Sequence, residues 1–287
     1  MKILRGGIAS AKGFIASGVS CGIKKDSKLD LALIFSEKVS AAAGLFTTNR
    51  FIAPPLILTK KNLRKGTAQA VIVNSGNANA ATGSRGYEDA LEMGALTAKE
   101  LGIDSSLVSV ASTGVIGEPL PMEKIRSGIP LVVKSLKRNG GKDAARAIMT
   151  TDTFFKEAAV RGMVGGKEVT VGGIAKGSGM IHPNMATMLA FIVTDATISS
   201  GLLKSSLRKA SDLSFNMITV DGETSTNDMV LCLANGMSGV KEIREGSKEL
   251  EEFQVFLEHV CLTLAKMIVR DGEGATKFVT IVVENAR

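Results

Sequence analysis

Lys176-Gly-Ser-Gly-Met-Ile-His-Pro-Asn-Met-Ala-Thr-Met-Leu-Ala190 passes from a polar, glycine-rich run straight into an apolar one. Leu189–Thr194 has the length and composition of a buried strand, so the polar run reads as a loop entering that strand. Further runs of strand length precede it: Leu31–Ser36, Ala70–Asn74 and Leu107–Ala111. Phe155–Val164 and Lys167–Ala175 flank Gly165-Gly166, a pair suited to a two-residue hairpin turn. Helical patterns alternate with these strands. Tyr87–Leu101 carries Leu91, Ala95 and Ala98 on one face and stops at Gly102. Gly201–Leu213 places Leu203, Leu207 and Ala210 together, and Glu249–Arg270 repeats Phe253, Leu257, Val260, Leu264 and Ile268 at three- and four-residue steps. Phe278–Glu284 reads as strand-like. The pattern predicts an α/β fold, with a main layered domain over 1–200 and a smaller α+β portion over 201–287.

Composition removes several classes of answer. The chain has 287 residues, 45% hydrophobic and 22% charged, which is ordinary for a folded globular protein. Its apolar runs are too short to span a bilayer, and Lys12 interrupts the N-terminal stretch before a secretory core forms, so a cytoplasmic location is expected. A net charge of +7 invites a nucleic-acid reading. One Tyr, no Trp and scattered basic residues argue against it, while leaving room for a small anionic substrate, and the short apolar runs leave no membrane partner expected. Three widely spaced cysteines, Cys21, Cys232 and Cys261, predict small core residues rather than a disulfide framework or zinc site.

Familiar chemistry is absent motif by motif. There is neither a Walker A lysine nor an HExxH pair. Of the two histidines, His259 falls inside a helical pattern and His182 precedes Pro183 in a loop, where it could line a site. Gly18-Val-Ser-Cys-Gly22 matches a nucleophile elbow in spacing but lacks the strand and helix that an elbow needs. Gly172–Gly179 lacks the dinucleotide spacing, so no cofactor is expected, and the acids of Asp221–Asp228 are too loosely spaced for a hard cation. That block reads as a hydrogen-bonded loop, and no metal is expected. Ala186-Thr187 admits a sharper reading than a loop entering a strand. A Thr hydroxyl can attack its own preceding carbonyl, and the small Ala186 leaves room for the tetrahedral intermediate. Cleavage would free a Thr whose α-amine, titrating at about 7.7–8.0, serves as its own base. Ala111–Leu120, turning through Gly114 and Gly117, could aim donors at a developing oxyanion.

Taken together, these runs resemble the ornithine acetyltransferase (glutamate N-acetyltransferase) family of arginine biosynthesis, and the likeness covers essentially the whole chain. It extends to Asn74–Gly83, Thr150-Thr-Asp-Thr153, Asp221–Asp228 and Arg270–Lys277. The resemblance implies an αββα-type sandwich like the N-terminal-nucleophile folds. It implies self-cleavage between Ala186 and Thr187 into fragments that stay together as a heterotetramer, and ping-pong transfer from N-acetylornithine to glutamate. Thr187 matches the nucleophile, and Thr113 and Gly114 the oxyanion stabilisers. Thr150, Lys176, Thr187 and Glu273 match substrate-contacting positions. Taken alone, Thr150 could cap a helix or turn, Lys176 lie on the surface and Glu273 be a loop carboxylate. Acetyl-coenzyme A as a second donor stays open. The family continues beyond the position of Arg287 with a segment that completes the substrate site. An amidase or aminopeptidase with the same nucleophile, or a non-catalytic truncated relative, are the rival readings.

Overall fold

Alternation along the strands sorts the buried residues into three interlayer spaces. The computed structural model describes residues 1–181 and 188–285. In chain order its elements are β1 Lys2–Leu4, β2 Phe14–Val19, β3 Leu31–Phe46, α1 Pro54–Asn62, β4 Thr67–Asn77, α2 Gly83–Leu101, β5 Val108–Val115, α3 Met122–Lys134 and α4 Gly141–Ala147. Then follow β6 Lys156–Val164, β7 Lys167–Lys176, β8 Leu189–Thr194, α5 Ser200–Asp212, β9 Met229–Ala234 and α6 Lys248–Arg270. The strands hydrogen-bond in the order β1-β6-β7-β8-β9-β3-β4-β5, with β2 also on β3. Register slips between Phe35 and Ser40, so the first half of β3 pairs with β2 and β4 and its second half, Ala41–Phe46, with β9. The long strand thereby belongs to two half-sheets.

Those halves face each other. Phe191, Val193 and Leu231 of one pack with Ile34, Val71 and Val73 of the other. The opposite face of β8 and β9, with Ile192 and Cys232, packs on Leu203 and Leu207 of α5 and Phe253, Leu257 and Leu264 of α6. The opposite face of β3 and β4, with Leu33 and Ile72, packs on Met93 of α2 and Ile125 and Ile129 of α3. This is the expected αββα sandwich. Residues 201–287 supply α5 and α6 to one outer layer and β9 to the sheet. No helix among the described residues is long and apolar enough to cross a membrane.

The hairpin turn at Gly165 and Gly166 has φ of +55° and +76°, the left-handed pair that matches strand twist. Cys232 and Cys261 are core residues, whereas Cys21 is only half-buried. Two local expectations need correction. Leu91 and Ala95 of α2 are exposed; the buried stripe is Ala90, Met93, Gly94, Thr97 and Ala98. Small residues win there because the helix sits close to β5: a Cβ on Gly94 would lie 3.2 Å from Val110. The strand-like run Phe278–Glu284 has no strand partner among the described residues and is exposed. Its apolar periodicity finds no sheet edge to satisfy its backbone groups.

Candidate active site

The parallel strands β4 and β5 end side by side at Gly76 and Gly114. A Cβ on Gly114 would stand 2.3 Å from the Gly76 carbonyl carbon, and Gly114 has φ +137°, so only glycine lets these strand ends approach this closely. Asparagines lock them. Ser112 donates to Asn74 at 2.6 Å, Asn77 donates to the Glu118 and Pro119 carbonyls, and Asn227 donates to the Ala78 and Ser112 carbonyls. Beside Gly114, Thr113 is nearly buried. Its Oγ1 accepts a 3.0 Å hydrogen bond from Lys176 Nζ at the end of β7. A hydroxyl that accepts from an ammonium keeps its own proton for another acceptor. Lys176 is 5% exposed, which removes the surface alternative. Burial lowers its pKa, against the opposing pull of Asp152, Asp228 and Glu273.

Beneath Lys176 lies a buried charge triad. Lys156 Nζ reaches Asp152 Oδ1 and Asp271 Oδ2, each at 2.6 Å, with the lysine fully enclosed. Asp152 also accepts from the backbone N–H of Thr150 and of Gly177, and Asp271 accepts from the backbone and hydroxyl of Thr153. One cation therefore ties the Thr150–Thr153 loop and the end of β7 to the end of α6. Burial alone would raise the Asp152 pKa, but Lys176, Lys156 and the Gly177 N–H outweigh it and hold the carboxyl below its usual value. Two residues past Asp271, the Glu273 N–H donates to the Ser178 carbonyl at 2.7 Å. The Glu273 carboxylate lies against Gly179, where a Cβ would come within 2.8 Å of it.

These groups open onto a cavity of about 760 Å³ lined by Thr113, Gly114, Thr150, Lys176 and Glu273. All five site residues expected within the described chain thus meet in one place. Thr150 does not cap a helix; it follows α4 in the loop that Asp152 holds. Ala186, Thr187 and His182 lie outside the described residues. The register nevertheless pairs Leu189, which opens β8, with Lys176. His259 is half-buried on α6. Gly18–Gly22 leads from β2 into an irregular loop, without an elbow's helix. The Asp221–Asp228 block is hydrogen-bonded as expected: Asp221 accepts from the Met180 and Ile181 N–H groups, and Ser225 and Asn227 reach the cavity. Sequence reasoning missed Lys24 and Lys28, which also line it, and the Asp152–Lys156–Asp271 triad. Lys24 and Lys28 belong to no motif, and although Asp152 and Lys156 stand four residues apart, their partner Asp271 lies 115 residues beyond Lys156.

Four layers around a paired half-sheet are a variant of the Ntn hydrolase fold. The L-aminopeptidase D-Ala-esterase/amidase of Ochrobactrum anthropi, described as a new variant of that fold, matches with a TM-score of 0.58 over 92% of this chain and 86% of its own, at 12% identity. Within that class the chain belongs to the ArgJ family of arginine biosynthesis, whose model matches residues 15–287. It is 52% identical over 287 residues to the arginine biosynthesis bifunctional protein ArgJ of Caldanaerobacter subterraneus subsp. tengcongensis, covering 71% of that protein. The ornithine acetyltransferase of Mycobacterium tuberculosis, solved in complex with ornithine, matches at 40% identity and a TM-score of 0.60, covering 65% of this chain and 98% of that one.

Proposed function

We propose that this protein moves an acetyl group from N-acetylornithine to glutamate through an acyl-threonine on Thr187. The observation that carries the reading is the pairing of Leu189 with Lys176, whose ammonium holds the Thr113 hydroxyl. β8 begins two residues after Thr187 in the chain and pairs with β7, the strand that ends at Lys176. Family membership supports the substrate pair.

In the proposed sequence Thr187 first attacks the Ala186 carbonyl, and the amide nitrogen leaves as the acyl group moves to Oγ. Water then hydrolyses that ester, freeing an Ala186 carboxylate and the Thr187 amine. The lengths support this step: the M. tuberculosis chain is matched almost entirely by 65% of this chain, close to the share formed by residues 1–186. The free amine takes the hydroxyl proton as Oγ attacks the acetyl carbonyl. Thr113 and Gly114 face the oxyanion, Lys176 takes the α-carboxylate and Glu273 the side-chain ammonium, with Thr150 beside them. Collapse breaks the C–N bond and releases ornithine with the proton. Glutamate's amine then attacks the acyl-threonine, leaving N-acetylglutamate and Thr187.

The partition of labelled acetyl between glutamate and water tests the reading. Glutamate should take most of the label. Label appearing only as acetate, whatever the glutamate concentration, would favour an amidase with the same nucleophile.

A further inference from the structure

Under the reading just given, the site must hold two amino acids in turn whose side chains carry opposite charge. Lys176 can serve the α-carboxylate of both. Glu273 suits the donor's side-chain ammonium, but the same carboxylate repels the acceptor's side-chain carboxylate. A second cation, set apart from Glu273, is needed.

Lys24 occupies such a place. Its aliphatic stem lies on the end of β4, where a Cβ on Gly76 would meet Lys24 Cγ at 3.1 Å, next to Gly114. Glu273 lies instead against Gly179, beyond the end of β7. The loop bearing Lys24 is built rather than loose. The fully buried Asp30 carboxylate accepts from the backbone N–H groups of Cys21 at 2.7 Å and Lys24 at 3.0 Å, fixing the loop's start to the head of β3. The ammonium donates to the Leu29 carbonyl at 2.8 Å, which uses one of its three donors. The same loop also brings Lys25, Asp26 and Lys28 to the lining, a net positive wall, whereas Asp221 and Glu223 stand with Glu273 on the rest of it, where Lys176 is the cation.

We propose that Lys24 receives the side-chain carboxylate of the acceptor, so that donor and acceptor place their opposite charges on different walls of one cavity. The inference rests on the acyl-threonine reading. Lys24 is a specificity-determining residue for the second half-reaction only.

The test compares glutamate with glutamine as acceptor in the wild-type protein and in Lys24→Met and Lys24→Arg, with ornithine release from N-acetylornithine followed separately in a single turnover. Loss of one charge-assisted contact should lower kcat/KM for glutamate by about tenfold or more in Lys24→Met, mainly through KM. Glutamine should change far less, so the preference for glutamate collapses, and Lys24→Arg should restore most of it. An unchanged glutamate preference in Lys24→Met would overturn the inference while leaving the reaction intact. A wild-type protein that releases no ornithine and gains no acetyl group would overturn the underlying reading, and this inference with it.

Discussion

Lys176 Nζ donates to Thr113 Oγ1 at 3.0 Å, so the ammonium fixes the hydroxyl's direction as well as lending it charge. In the proposed mechanism this bond turns the Thr113 proton toward the oxyanion. Thr113→Val keeps the shape and removes that donor. It should lower kcat by about 10²–10³ with little change in either KM, the usual effect of losing one oxyanion donor. Lys176→Met should worsen both kcat and KM, because it removes the α-carboxylate partner too. Steady-state kinetics on both substrates distinguish the two patterns.

Gly179→Ala should fold normally yet bind the donor poorly. The new methyl's three nearest atoms would be the flexible end of Glu273, at 2.8–3.0 Å, so the carboxylate is what must move. We expect the N-acetylornithine KM to rise about tenfold, the size of a lost charge-assisted contact, with an unchanged melting temperature. An unchanged KM would show that Glu273 does not hold the donor in its present position.

Lys156→Met should be among the most damaging single changes. It strands two buried carboxylates, Asp152 and Asp271, and breaking a buried ion pair costs about 3–5 kcal/mol. Urea unfolding would report it. The triad also gives the fold an acid-sensitive clasp. Because Asp152 is held below its usual carboxyl value, its stabilising contribution is complete above about pH 4 and is lost as pH falls through the lowered folded-state value. Asp152→Asn should therefore flatten the fall in melting temperature below that pH.

Lys24 offers a pH signature. Burial lowers its pKa to about 8, partly countered by Asp30 and Asp152 and reinforced by Lys176 and Lys28. A lysine loses its charge as pH rises through its pKa. The ratio of glutamate to glutamine use should therefore fall above about pH 8, and Lys24→Arg should keep the ratio flat there. Taking the ratio cancels titrations shared by both acceptors, including that of the Thr187 amine.

Where apolar spacing alone decides burial, the sequence was readable. Leu189–Thr194 is the strand its composition announces, and Phe253, Leu257, Val260, Leu264 and Ile268 of α6 are all buried. β3 runs ten residues past Ser36 because the polar, exposed Glu37 and Lys38 sit at a register shift instead of ending the strand. The face of α2 that meets the sheet is set by Gly94 against Val110, not by Leu91, which is exposed. The site was legible through its resemblance to a family: nothing local distinguishes Thr150 or Glu273 from ordinary loop residues. Lys156 has Asp152 four residues before it, a spacing common to surface ion pairs, so nothing local marks it as buried. A lysine is buried there because Asp271, 115 residues away, comes back to meet it.

The most direct measurement is the mass of the protein under denaturing conditions, before and after brief exposure to N-acetylornithine. We expect two species corresponding to residues 1–186 and 187–287, which co-purify under native conditions, and an acetyl-sized increase confined to the second and mapping to Thr187. Glutamate should remove that increase. A single uncleaved mass, or an acetyl group carried anywhere other than Thr187, would contradict the account.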